Sequence, residues 1–215
     1  MTRTLSEHDS KRLLARYGVP FLDEVAADDA DGAVAGAEQV GYPVVAKLNG
    51  DAIAHKTERG LVRLNLADAG AVRRAAEELL AAATPEDGPV QVLVAPFVRG
   101  NRELICGLTD DPQFGMTVLL GVGGVLAEAV GDVVLRVVPL EPVDAEEMLE
   151  GLATQALLGQ FRGEPAVDRR AVAEVVLALS AAAQAEPQVR SVDLNPLIIV
   201  DGRPVAVDAL VEVDR

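Results

Sequence analysis

Tryptophan is absent from these 215 residues, and tyrosine and phenylalanine together number only six. Hydrophobic residues still make up 50% of the chain, so the core has to be filled by Val, Leu and Ala rather than by rings. Long apolar runs are missing too. None approaches the roughly 18 residues of a membrane span, and the start, MTRTLSEHDSKRLL, has neither the basic flank nor the apolar stretch of a signal peptide. The expectation is a soluble, cytoplasmic protein whose length fits one large or two small domains and can bury a real core. The single cysteine, Cys106 in the run ELICGL, excludes an intrachain disulfide and a thiolate zinc site, and reads as a small buried hydrophobe. Positive charge is scarce: 34 acids against 19 bases leave a net charge of -15, which argues against nucleic acid and anionic membranes as partners.

Among the 19 bases only three are lysines, at positions 11, 47 and 56. A chain that otherwise uses Arg keeps Lys where a compact ammonium matters. Lys11 is expected on the polar face of a helix. Lys47 ends the apolar run PVVAKL, where its charge is either a clamp for a bound anion or the snorkelling head of a buried stem.

The pattern LSEHDSKRLLARYG, opened by Ser6 with Asp9 three residues on, predicts a helix over 6–17. Further helices are expected over 29–40, 68–83, 143–150 and 168–185. Strands are expected at PVVAKL, 61–66, 90–95, ELICGL, MTVLLGV and VVLRVVPL, followed by a closing hairpin, SVDLNPLIIV, Asp201-Gly202, RPVAVDALV. Strands and helices mix without strict βαβ alternation, which points to the α+β class.

A two-residue turn at Asp201-Gly202 places Val200 opposite Arg203 and, carried along the ladder, Asn195 opposite Asp208. Asp193 adds a carboxylate two residues away on the same face. Such an oxygen set suits magnesium with room left for phosphate and water, or is simply a solvated sheet face. Pro196 and Pro204 favour an edge position for this hairpin. His55-Lys56-Thr57 forms a polar loop with a base, a cation and a hydroxyl, whereas His8 reads as an exposed, inert side chain. Gly121-Val122-Gly123-Gly124 permits close backbone approach to a ligand, or is only a turn. Glu103 and Glu128 line a cation site or lie exposed.

Read in order, LSEHDSKRLLARYGVP, GYPVVAKL, HKTERGLVRL, ELICGLTDDPQFG, the GVGG loop with Glu128, LRVVPL, FRGEPAVD, DLNPL and VAVDAL resemble the ATP-grasp beta subunit of NDP-forming acyl-CoA synthetases, the acetate-CoA ligase (ADP-forming) family. More distantly the chain is similar to succinyl-CoA synthetase beta subunits. The resemblance implies an ATP-grasp fold over 1–215, with α+β subdomains near 20–95 and 98–215 gripping a nucleotide and an N-terminal helix at 6–17. It implies ATP/ADP contacts at Lys47, Lys56, Val94, Ala95, Phe97, Glu103, Gly123 and Gly124, and magnesium at Asn195, Asp208 and Asp193. His55 becomes a phosphohistidine relay between the nucleotide and an alpha subunit carrying the CoA-binding and ligase domains, in a hetero-oligomer.

Two positions depart from the family pattern. Ala95-Pro96-Phe97 stands where relatives usually read Gln-Glu-Met, so the hinge carboxylate is missing and Pro96 donates no N–H. Leu61 replaces a glycine after the HK motif. The alternatives to a catalytic subunit are therefore a non-catalytic nucleotide-binding regulatory module with an altered hinge and a structural subunit.

Overall fold

The computed structural model describes residues 2–53, 56–124, 131–160 and 162–214. Two compact units divide the chain: a smaller one of residues 4–9 and 22–97, and a larger one of residues 1–3, 10–21 and 98–215.

In chain order the elements are β1 (Thr2–Thr4), α1 (Glu7–Ala15), β2 (Val25–Ala27), α2 (Ala30–Val40), β3 (Val44–Asn49), β4 (Val62–Leu66), α3 (Ala69–Ala81), β5 (Gln91–Pro96), β6 (Glu103–Asp111), β7 (Gly115–Val122), β8 (Val133–Val137), α4 (Pro142–Gly151), α5 (Arg169–Ala185), β9 (Val189–Val200), β10 (Arg203–Ala206) and β11 (Leu210–Asp214). Three helices start at an aspartate whose carboxylate accepts an otherwise orphaned backbone N–H: Asp29 from Gly32, Asp68 from Ala71 and Asp168 from Ala171. At α1, the Ser6 hydroxyl donates to the Asp9 carboxylate and accepts from the Asp9 N–H.

The smaller unit holds an antiparallel sheet in the order β2-β5-β3-β4, against which α2 and α3 pack. Alternation along β3 explains why all six of its residues are buried. Val44, Ala46 and Leu48 join the core with Ala33, Ala37, Val72, Ala76, Leu79, Val92 and Val94. Val45, Lys47 and Asn49 point the other way, where the first turn of α1 meets Lys47 and Asn49.

The larger unit is built on a sheet in the order β1-β11-β9-β6-β7-β8, with β10 also paired to β9. Helix α5 packs on β6 and β7 over the face that carries Leu104, Cys106, Leu108, Val118 and Leu120. None of the five described aromatic residues is buried, in keeping with the aliphatic core expected from composition. Cys106 is 1% exposed, and burial pushes its thiol pKa up to about 12.

Three sequence expectations change. Lys11 is buried rather than solvated: Ser6, Glu7, Ser10 and Lys11 on the polar side of α1 are all covered, and the Ser10 hydroxyl accepts from the Val211 N–H. Two strands of three residues, β1 and β2, were too short to show a period. Pro196 does not mark an edge, because β9 lies between β6 and β11. Leu104 pairs with Leu197 and Cys106 with Leu194, so Asn195 and Pro196 together oppose Ile105 in a bulge, where no ladder N–H is needed. Pro204 does sit on a short strand, β10, paired to β9.

Candidate nucleotide-phosphate and metal site

The phosphate-binding candidates lie in the smaller unit. Lys47 is held in β3 between β4 and β5, opposite Val62 and Leu93. Its ammonium does not snorkel: it lies 2.7 Å from Glu7 Oε1. Lys56, also buried, places its ammonium 2.8 Å from the other oxygen, Glu7 Oε2. Glu7 itself is 1% exposed. The first turn of α1 is docked beside β3 by further contacts, Ser6 N–H to Asp51 and His8 N–H to Asn49, each 3.2 Å. The His8 ring, expected to be exposed and inert, is part-buried with Nδ1 2.8 Å from Glu24 Oε1.

His55 lies outside the described residues, as does Glu128. The segment from Lys56 to Leu61 is exposed over residues 57–60 and tied at its ends and at Arg59. The Lys56 carbonyl accepts from Leu61 N–H at 2.8 Å, Arg59 pairs with Asp87, and Leu61 is 2% exposed in the core. Leu61, read in the sequence as a replaced glycine, therefore anchors the end of this loop.

At the hinge, Val94 is fully buried, and its backbone pairs with Val25 on one side and Ala46 on the other. Ala95 is opposite Val45, and the Phe97 N–H donates to the Pro43 carbonyl at 2.9 Å. The side chain of Val94 is thus committed to packing, and the Phe97 N–H to the backbone.

In the larger unit, the β6–β7 ladder brings Glu103 to the glycine loop. Gly123 N–H donates to the Glu103 carbonyl at 2.8 Å, and a Cβ on Gly123 would lie 3.1 Å from the Leu104 carbonyl oxygen, so only glycine fits without displacement. Gly124 has a positive φ of 86° and faces the Glu103 carboxylate. Glu103 also lines a cavity of about 510 Å³ with Arg99, Asn101, Glu164 and Ile198.

The hairpin register stands as the turn residues imply. Val200 faces Arg203 and Leu197 faces Ala206, and the same register resumes where Asp193 faces Leu210. Asn195 and Asp208 fall between these two stretches, directly opposite one another if the shared register is carried across. Asp193 and Asn195 are exposed and Asp208 half-exposed, while their neighbours Val192 and Leu194 are buried. Asp193 lies beside Gly107 on the face away from α5. Two carboxylates and an amide oxygen are hard donors of the kind magnesium takes, and they leave coordination positions for phosphate oxygens and water. Among the described residues, no cluster of three or more His, Cys, Asp or Glu side chains suited to a metal occurs.

Two residues escaped the sequence reading. Glu7 was not singled out in the sequence at all. Arg102, 4% exposed, donates from Nε to Glu164 at 3.0 Å and from its other nitrogens to the carbonyls of Leu157, Gly159 and Pro165. Hydrogen bonds from Asn101 and Arg102 hold the Glu164 carboxyl below the usual range. Arg before Glu103 and Glu within FRGEPAVD were the available signal.

Paired α+β units, one with a buried lysine pair and the other with a hard-oxygen hairpin, define an ATP-grasp domain, and the ATP-grasp domain family matches residues 1–213. The chain is 33% identical over 197 residues to the acetate–CoA ligase (ADP-forming) II subunit beta of Pyrococcus furiosus, covering 90% of this chain and 84% of that one. Among solved structures, it matches a dinucleotide-forming acetyl-coenzyme A synthetase 1 from Ca. Korarchaeum cryptofilum in complex with coenzyme A, Ca-AMPCP and HgCl+. That match has a TM-score of 0.91 and 32% identity, over 99% of this chain and 94% of that one. A second structure of that synthetase, with coenzyme A and Mg-AMPPCP and its phosphohistidine segment pointing towards the nucleotide binding site, matches with a TM-score of 0.83 and 34% identity over 97% and 92% of the two chains. The chain belongs to the ATP-grasp family of ADP-forming acetate–CoA ligase beta subunits.

Proposed function

We propose that this chain is the ATP-grasp subunit of an ADP-forming acid–CoA ligase and that it moves a phosphoryl group between ATP/ADP and His55. A neutral imidazole nitrogen of His55 attacks the γ-phosphorus in line, the bond to the bridging oxygen breaks, and ADP leaves with the electron pair. The reverse step makes ATP from ADP and the phosphohistidine. Lys47 and Lys56 serve the phosphates, while Asn195, Asp208 and Asp193 would hold magnesium. Magnesium bound there supplies charge neutralisation for the transferring group. Gly123 and Gly124 allow the backbone to come close to the nucleotide.

The observation that carries this reading is the pairing of Lys47 with Lys56, the residue directly after His55, on the two oxygens of one buried carboxylate. Support also comes from the relatives, which are named as ligase beta subunits or were solved with nucleotide analogues. The name "subunit beta" further supports an alpha partner, which would carry CoA binding and acyl transfer.

The test is incubation of the full chain with magnesium and γ-labelled ATP. Acid-labile label on His55, absent in His55→Asn and removed by excess ADP, is the expected result. Label that persists in His55→Asn overturns the relay. Bound nucleotide that never labels His55, even with the alpha partner present, favours the regulatory module.

A further inference from the structure

Glu7 touches neither phosphate nor metal in the chemistry described above, yet it is among the least exposed charged groups of the described residues. Burying a carboxylate is costly unless it is paired, and pairing it with two lysines demands tight geometry. The chain supplies that geometry from two distant places. The first turn of α1 is fixed beside β3 by Ser6 on Asp51, His8 N–H on Asn49 and the His8 ring on Glu24. Lys47 arrives from β3, 40 residues further along, and Lys56 from the loop beyond it. Each ammonium lies within ion-pair distance of its own oxygen of the carboxylate, at 2.7 and 2.8 Å, and that of Lys47 is also aligned as a hydrogen bond.

A lysine side chain has many rotamers, and a phosphate binder loses that entropy at the moment of binding unless the ammonium is already fixed. A carboxylate holding both ammonium groups removes most of that loss beforehand. We propose that Glu7 is a positioning residue for the nucleotide phosphates, setting Lys47 and Lys56 as a rigid pair of cations. The inference rests on the reading of Lys47 as a phosphate ligand. It differs from a purely structural ion pair in acting on phosphate and not on the nucleoside.

The experiment is calorimetric titration of the full chain with magnesium and ADP, and with adenosine by competition, for the wild type, Glu7→Gln, Glu7→Asp, Lys47→Gln and Glu7→Gln/Lys47→Gln. Expected are at least a tenfold weaker ADP affinity in Glu7→Gln, unchanged adenosine binding, a smaller loss in Glu7→Asp, and a double variant whose loss falls short of the sum of the two single losses, because Glu7 acts in part through Lys47 and in part through Lys56. Wild-type or tighter ADP binding in Glu7→Gln, or a parallel loss of adenosine, overturns the inference. If Glu7→Gln does not fold, Glu7→Asp decides it by the same comparison of ADP with adenosine. A wild-type chain that binds no ADP, or Lys47→Gln binding as tightly as wild type, overturns the reading of Lys47 and the inference together. Wild-type affinity in Glu7→Gln with lost affinity in Lys47→Gln overturns the inference alone.

Discussion

Arg59 and Asp87 meet through two parallel hydrogen bonds, Nη1 to Oδ1 at 2.7 Å and Nη2 to Oδ2 at 2.9 Å. Hydrogen bonding from Arg59 and from Thr84 holds the Asp87 carboxyl well below the usual range. A carboxylate whose pKa is depressed by folding adds stability that is complete above the unfolded value and is lost as pH falls. The melting temperature should therefore drop as pH falls below about 3.9, the ordinary aspartate value. Asp87→Asn should lower stability at neutral pH and flatten that acid-side slope. Thermal melts of both proteins from pH 7 to pH 3 check this.

Asn195→Ala/Asp208→Ala should abolish the magnesium dependence of ADP binding, and Asp193→Asn should weaken it less. Asp193 is exposed, so Asp193→Asn should stay within about 0.5 kcal/mol of wild-type stability, whereas the double variant also loses the bond Asp208 accepts from the Ala209 N–H and should cost about 1 kcal/mol. Calorimetry with and without magnesium, together with a urea melt, separates the two effects. Unchanged magnesium dependence in the double variant would remove these residues from the metal site.

Arg102→Ala should be among the most damaging substitutions in the larger unit. It strips a buried donor from Glu164 and from three carbonyls, a loss that should exceed that of any exposed substitution in this unit. Arg102→Lys should recover only part, since an ammonium cannot reproduce the planar fork that serves these acceptors. Denaturant midpoints of the three proteins give the comparison.

Asp201 and Gly202 have φ of 48° and 83°, the two positive values a tight two-residue hairpin turn requires. A Cβ on Gly202 would lie 2.7 Å from the Ala166 carbonyl oxygen. Gly202→Ala should cost about 1–3 kcal/mol from crowding, with backbone strain added. A urea midpoint equal to wild type would show that the turn can be rebuilt.

The residues that were legible in the sequence are those whose partners lie close along the chain. Asp29, Asp68 and Asp168 cap helices a few residues away, and Asp201-Gly202 sets the register of its own hairpin. Pro196 misled because its freedom from the ladder comes from β6, which is paired to β9 across some 90 residues of chain. Lys11 misled because a polar helix face implies water only if nothing packs on it, and Ser10 shows that a backbone strand does. Glu7 was unreadable for the same reason: nothing local distinguishes a first-turn glutamate facing solvent from one facing two lysines. The HK motif marks His55 as a candidate for chemistry, and the end of an apolar run marks Lys47 as a buried charge, which it is.

The burial of Cys106 should leave the native chain slow to react with thiol reagents. A cysteine introduced on any exposed position becomes a unique handle for a fluorophore or spin label, without removing the natural one. Conversely, slow modification of Cys106 itself clocks how often the sheet of the larger unit comes apart, a timekeeper already placed in the strand that Glu103 begins.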